Sequence, residues 1–166
     1  MYSVTKTIEF CYGHRLLNYE GKCRHLHGHN GKAEIELSSE TLDRRGMVRD
    51  FSEIQRVIHA WIDRALDHKM LLHHRDPALP ALRQLGEPLF VLKENPTAEA
   101  IAQLIFDYAA SQGWPVTSVR LWETDRSVAT YRGPAARAAG SRPGATTRAR
   151  ATRRAMRRRR STVTAA

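Results

Sequence analysis

The stretch CRHLHGHN at residues 23–30 places a thiol and three imidazoles at alternate positions: Cys23, His25, His27 and His29. Alternate side chains of an extended segment share a face, so this spacing predicts a cluster of metal-binding groups. His27 and His29, two residues apart, suit two ligands from one segment. Spacing alone leaves the third ligand open between His14 and His25. Structural zinc sites are four-coordinate and rich in cysteine, and this chain has no CxxC pair. Three imidazoles with a fourth position open are the catalytic pattern. A hydrogen-bonded histidine loop without metal is the competing reading of the same residues.

The elements that must position this cluster follow from periodicity. Residues 3–10 carry Val4, Ile8 and Phe10 on one parity and read as a strand, with 11–31 as a loop or irregular extended segment. KAEIELSS alternates as a half-buried strand, and MVRD returns beside it, so 32–50 reads as a hairpin. Asp50 with Glu53 resembles a capping box that opens a helix. Its stripe of Ile54, Val57, Ile58, Trp61, Ile62, Ala65 and Leu66 is most simply a core face. Residues 75–88 hold three prolines and read as loop with a short helical turn, and LFVLK as a short strand. Thr97 caps a second helix, with Ile101, Leu104, Ile105 and Tyr108 facing inward and Gly113 just past its end. VTSVRLWETD is a strand, and VATYRG pairs with it or continues it. Strands, two helices and a strand in this order define an α+β class, with helices on one face of an antiparallel sheet.

The composition bounds the remainder. The chain has 166 residues, 42% hydrophobic and 27% charged, which suits one domain with a real core. No apolar run reaches the roughly 18 residues of a membrane span, and MYSVTKTIEF lacks the apolar region of a signal peptide. Cys11 and Cys23 allow one disulfide, and reduced thiols in the cytoplasm are the better expectation. Ten of the 27 basic residues are arginines in 134–166, which leaves 17 in 1–133 against all 17 acids. The net charge of +10 therefore belongs to the Arg/Ala-rich tail. With almost no apolar bulk, 134–166 is expected to be disordered, beside a folded domain at 1–133. Such a tail could bind nucleic acid, but it interleaves no aromatic residue for base stacking, and a tail without a selected role is the preferred reading.

Taken together, FCYGH, CRHLHGHN, LDH, NPTAE and WET, in this order over about residues 3–133, resemble the family of 6-pyruvoyl-tetrahydropterin synthase and 6-carboxy-tetrahydropterin synthase. The resemblance implies the tunnelling fold, an antiparallel sheet with two helices on one face. It also implies trimers that close a barrel and pair into a homohexamer. It implies Zn2+ held by His14, His27 and His29, with His25 outside the ligand set. Cys23 matches the catalytic cysteine, and Asp67 and His68 match the Asp–His pair that reaches the site from a neighbouring subunit. Glu123 matches the glutamate that anchors the pterin. The implied activity is that of a zinc-dependent lyase, 6-carboxy-5,6,7,8-tetrahydropterin synthase. It acts on 7,8-dihydroneopterin triphosphate and releases triphosphate and acetaldehyde on the route to queuosine. The alternative is 6-pyruvoyl-tetrahydropterin synthase, which stops after triphosphate elimination and internal redox. A non-catalytic zinc or nucleic-acid-binding module is the reading of a different class. The sequence departs from the family at Cys11–Tyr12–Gly13, where a small, Ala-containing stretch is common. It departs again at Gly31, where an aromatic residue often follows H-G-H-N, and after LDH, where an Asn is missing.

Overall fold

Strict alternation builds the sheet. In the computed structural model, which describes residues 1–133, β1 (Tyr2–His14) and β2 (His27–Ser39) form a long antiparallel pair from Tyr2↔Ser39 to His14↔His27. Ile8, Phe10, Ala33, Ile35 and Leu37 turn to the buried face, where β5 (Val116–Thr124) adds Val119 and Leu121. β6 (Ser127–Arg132) returns antiparallel along β5. On the other side of β1 lie β3 (Lys69–His73) and β4 (Leu89–Leu92), and the strand order is β4-β3-β1-β2-β5-β6. The opposite face of β2 and β5 is polar: Glu34 pairs with Arg120, Ser118 donates to Glu36 at 2.7 Å, and Lys32 lies over the Trp122 ring.

The helices pack on the apolar face. α1 (Phe51–Ile54) runs through a π stretch (Gln55–His59) into α2 (Ala60–Ala65). Ile54, Ile58, Ile62 and Leu66 are all fully buried. Four-residue spacing drifts by about 40° per step on a regular α-helix. The wider i→i+5 turns of the π stretch turn less per residue and offset that drift, which keeps the four side chains in one line. α4 (Ala98–Ser111) buries Ile101, Ala102, Ile105, Phe106 and Ala109 beside them, and the Trp61 and Tyr108 rings stack at 4.2 Å between centroids. Thr97 accepts from the Ala100 N–H as the cap of α4, and Gly113 follows that helix at φ 74°.

The α+β class and the two helices on one face stand as expected, and four expectations are corrected. The sheet is mixed, because β3 runs parallel to both β1 and β4. β3 was not expected, since five residues in a polar setting carry little periodic signal. Residues 40–50 are turns and no strand, so β2 pairs with β1 and β5 and not with MVRD. β1 and β2 also extend into both ends of the segment read as loop, to His14 and from His27, because cross-strand pairing overrides weak local preference there. Asp50 caps α1 by accepting from Ser52, but Glu53 turns to Arg45 and Arg49, so the capping box is half made. The expectations about residues 134–166 lie outside the described residues.

One ion pair ties the loop before α3 (Leu79–Gln84) to the end of β1. Asp76, with its side chain fully buried, accepts two bonds from Arg15, at 2.5 and 2.7 Å, and one from the Ala78 N–H. Burial alone would raise the Asp76 carboxyl, but the Arg15 and Ala78 donors outweigh it and hold the group below its ordinary value. Removing one partner leaves the other charge uncompensated, so Asp76→Ala should cost about 3 kcal/mol at pH 7. Because the folded carboxyl titrates below the unfolded value of about 3.9, the stabilisation is present above that pH. It is lost as the pH falls through the lower, folded value. Thermal unfolding at pH 7 and in acid checks both points: the gap between wild type and Asp76→Ala should shrink in acid. A pH-independent gap would show that the charge of Asp76 is not what stabilises this loop.

Candidate metal centre and active site

Three of the sequence-predicted residues meet at the open end of the β1–β2 pair. His14 ends β1 and His27 begins β2 directly opposite it, and His29 follows two residues on, on the same face. One nitrogen of each ring lies within 4.8 Å of the others. The Nε2 atoms of His14 and His27 are 3.0 Å apart, and those of His14 and His29 are 3.2 Å apart. His14 is buried, with the other two half-buried.

The hydrogen bonds behind the rings decide what this cluster can hold. His14 Nδ1 lies 2.6 Å from the Pro96 carbonyl, and His27 Nδ1 lies 2.8 Å from the His25 carbonyl. A carbonyl only accepts, so each Nδ1 carries a proton, which leaves each Nε2 as the atom that can offer a lone pair. Two lone pairs 3.0 Å apart repel unless a cation lies between them. Zn–N bonds of 2.0–2.1 Å at tetrahedral angles place ligand nitrogens about 3.3 Å apart, close to the spacing found. Burial, reinforced by the neighbouring His27 and His29, lowers the pKa of His14 despite the opposing influence of Pro96 and Glu123, and so favours the neutral ring a metal requires. The residues fit a metal ion.

The NPTAE segment serves this end of the strand in three ways. Asn95 clamps Leu17 by accepting from its N–H at 2.8 Å and donating to its carbonyl at 2.9 Å. Pro96 fixes the tautomer of His14, and Thr97 starts α4.

Glu123 stands beside the cluster. A register shift in the β5–β6 pair falls between Trp122 and Thr124, and such a bulge re-aims a side chain. Glu123 Oε1 lies 3.8 Å from His14 Nε2 and 3.9 Å from His29 Nε2, and accepts from the Tyr12 hydroxyl at 3.1 Å. Burial, then the charge of Glu123, raises the Tyr12 phenol well above its ordinary value, so it remains a donor. Tyr12 was missed as a site residue, although its parity with Phe10 and His14 was visible in the sequence.

Other candidates lie apart from the histidines. Cys23 sits on a short 3-10 turn (Lys22–Arg24), so the alternation that grouped it with the imidazoles does not extend back to it. It is a half-buried free thiol outside the three-nitrogen cluster. His25 is exposed, and its side chain accepts from Arg24 while its carbonyl orients His27. Asp67 and His68 form their own pair, with His68 Nδ1 2.6 Å from Asp67 Oδ2 and the Cys11 N–H donating to Asp67 Oδ1 at 2.8 Å. Burial alone would raise the Asp67 carboxyl, but these donors hold it below its ordinary value. His68 adopts the left-handed conformation at φ 53°, and its side chain is 79% exposed. Cys11, Asn30, His68 and Met70 line an open groove of about 580 Å3 that reaches His27 and His29.

A curled mixed sheet with helices on one face and three convergent histidines at one end of its central strands defines a class, and comparison with known proteins gives the family. The model of the 6-pyruvoyl tetrahydropterin synthase family matches residues 3–134. A Rickettsia bellii protein named 6-carboxy-5,6,7,8-tetrahydropterin synthase is 36% identical over 131 residues, covering 75% of this chain and 95% of its own. A protein of the same name from Haemophilus influenzae is 31% identical over 139 residues, covering 79% and 99%. Among solved structures, an uncharacterized protein from Wolinella succinogenes aligns with a TM-score of 0.69 at 30% identity, over 80% of this chain and 98% of that one. The 6-pyruvoyl tetrahydropterin synthase of Caenorhabditis elegans aligns at 0.61 and 21% identity, over 80% and 96%, and shares the fold. The chain belongs to the 6-pyruvoyl tetrahydropterin synthase family.

Proposed function

We propose that the protein is a zinc-dependent 6-carboxy-5,6,7,8-tetrahydropterin synthase acting on 7,8-dihydroneopterin triphosphate. The observation that carries this reading is the set of three inward-facing Nε2 atoms with a carboxylate standing beside them. The names of the relatives support the carboxy-type product. His14, His27 and His29 would hold zinc, which would supply Lewis acidity toward a substrate side-chain oxygen and so acidify the adjacent C–H or O–H. Glu123 accepts from the paired N–H donors of the pterin ring and so places the side chain toward the histidines. Cys23, as thiolate, takes a proton as general base. Asp67 orients His68 through Nδ1, which leaves Nε2 to exchange a proton with the substrate.

The exposure of His68 in the single chain supports the use of the Asp67–His68 pair by a neighbouring subunit, in a homohexamer built as a dimer of trimers. On this reading 1–133 is the catalytic domain, the protein works in the cytoplasm, and the basic tail has no part in the chemistry. Among the described residues no helix is long and apolar enough to cross a membrane.

Incubation with 7,8-dihydroneopterin triphosphate, followed by mass spectrometry, tests the reaction. The expected products are 6-carboxytetrahydropterin, triphosphate and acetaldehyde. Accumulation of the 6-pyruvoyl compound without acetaldehyde would make the protein a 6-pyruvoyl-tetrahydropterin synthase instead.

A further inference from the structure

Tyr12 and Gly31 form a matched pair across β1 and β2. The Tyr12 ring is buried, stacks on Phe10 at 5.4 Å between centroids, and meets the His14 and His29 rings at 5.4 and 5.7 Å. The space it occupies is the space a side chain at residue 31 would need. A Cβ on Gly31 would stand 2.8 Å from Tyr12 Cε1 and 3.6 Å from Leu121 Cδ1. Gly31 therefore lets the ring lie against both the His14 and His29 rings and carry its hydroxyl to Glu123 Oε1. That is the same oxygen that lies 3.8 and 3.9 Å from two of the ligand nitrogens.

A carboxylate at that distance has two fates. Glutamate oxygens ligate zinc at about 2.0–2.2 Å, and a small rotation would turn Glu123 into a fourth ligand. A centre with four protein ligands is a closed, structural one, whereas a catalytic centre keeps a position open. We propose that Tyr12 is a positioning residue that tethers Glu123 beside the histidine cluster, so that the carboxylate stays a ligand anchor and does not close the metal site. The inference rests on the reading of Glu123 as the pterin anchor. The tether suits a buried phenol, because the ring is fixed by packing on both sides and the hydroxyl has an acceptor within reach. The second oxygen, Oε2, is left to accept from the N–H edge of the heterocycle.

Tyr12→Phe removes the tether and keeps the ring. The test measures neopterin binding by calorimetry and zinc loss to a chelator, in the zinc-loaded protein, for Tyr12→Phe, Glu123→Ala and the double variant. The tether predicts that Tyr12→Phe weakens neopterin about tenfold, the loss expected for one hydrogen bond to a charged group. It also predicts that zinc leaves more slowly, as the freed carboxylate swings onto the metal. In the Glu123→Ala background Tyr12→Phe should change neither quantity. Gly31→Ala, which presses on the ring and leaves the hydroxyl present, should act in the same direction and serves if Tyr12→Phe folds poorly. Equal effects of Tyr12→Phe with and without Glu123, or no effect on either quantity, would overturn the proposal while leaving Glu123 as the anchor. Unchanged neopterin affinity in Glu123→Ala would instead overturn the anchor reading itself, and the tether with it.

Discussion

Alanine at His14, His27 or His29 should leave the protein without bound metal and without turnover, while His25→Ala should keep both. The first three supply the convergent Nε2 atoms, and loss of one leaves two neutral nitrogens, too few for a stable centre of this type. His25 contributes to the site through its backbone carbonyl, which accepts from His27 Nδ1 and survives a side-chain change. His29→Ala is the cleanest variant. His14 is buried and donates to Pro96, so its removal also disturbs the start of α4. Zinc per chain by elemental analysis, with thermal unfolding as a check on folding, gives the result. Metal loss in His25→Ala equal to that in the other three would make His25 a ligand and the assignment above wrong.

Cys23→Ser should retain zinc and fold but lose about 10²–10⁴-fold in turnover, the usual contribution of a general base. The serine hydroxyl nearly matches the thiol in shape, so no cavity forms, but its proton is far harder to remove at neutral pH. The position of Cys23 on the 3-10 turn, outside the three-nitrogen cluster, is why zinc should stay. If Asp67 and His68 act on a neighbouring subunit, mixing Cys23→Ser with His68→Ala chains after dissociation and reassembly should restore part of the activity. Wild-type turnover in Cys23→Ser would leave the thiol as a packing residue. Loss of zinc would make it a fourth ligand and the centre a structural one. Verified mixed oligomers without restored activity would mean that each subunit supplies its own complete set.

The pattern of residue types along the chain determined much of this protein by itself. Period-two alternation in 33–37 and helical spacing from Ile54 to Leu66 and from Ile101 to Tyr108 each name the face that must be buried, because each element has a single repeat. Thr97 and Gly113 mark the ends of α4 through local backbone chemistry, and His27 with His29 declares two imidazoles on one face. Only the tertiary structure decided what those faces meet. Pairing of β1 with β2 in one register sets His14 opposite His27, and a shift of one residue would turn His14 to the other face. Pro96, 82 residues from His14, chooses its tautomer. The register shift at Glu123 and, over Gly31, the ring of Tyr12, 111 residues from Glu123 along the chain, bring a carboxylate to the histidines. Cys23 lost its place beside the imidazoles because a turn breaks the alternation before β2 begins. Local periodicity records how a side chain points within its own element, whereas register, bulges and the carbonyl behind a ring are set by partners distant in sequence, and these determine whether three histidines form a loop or a metal centre.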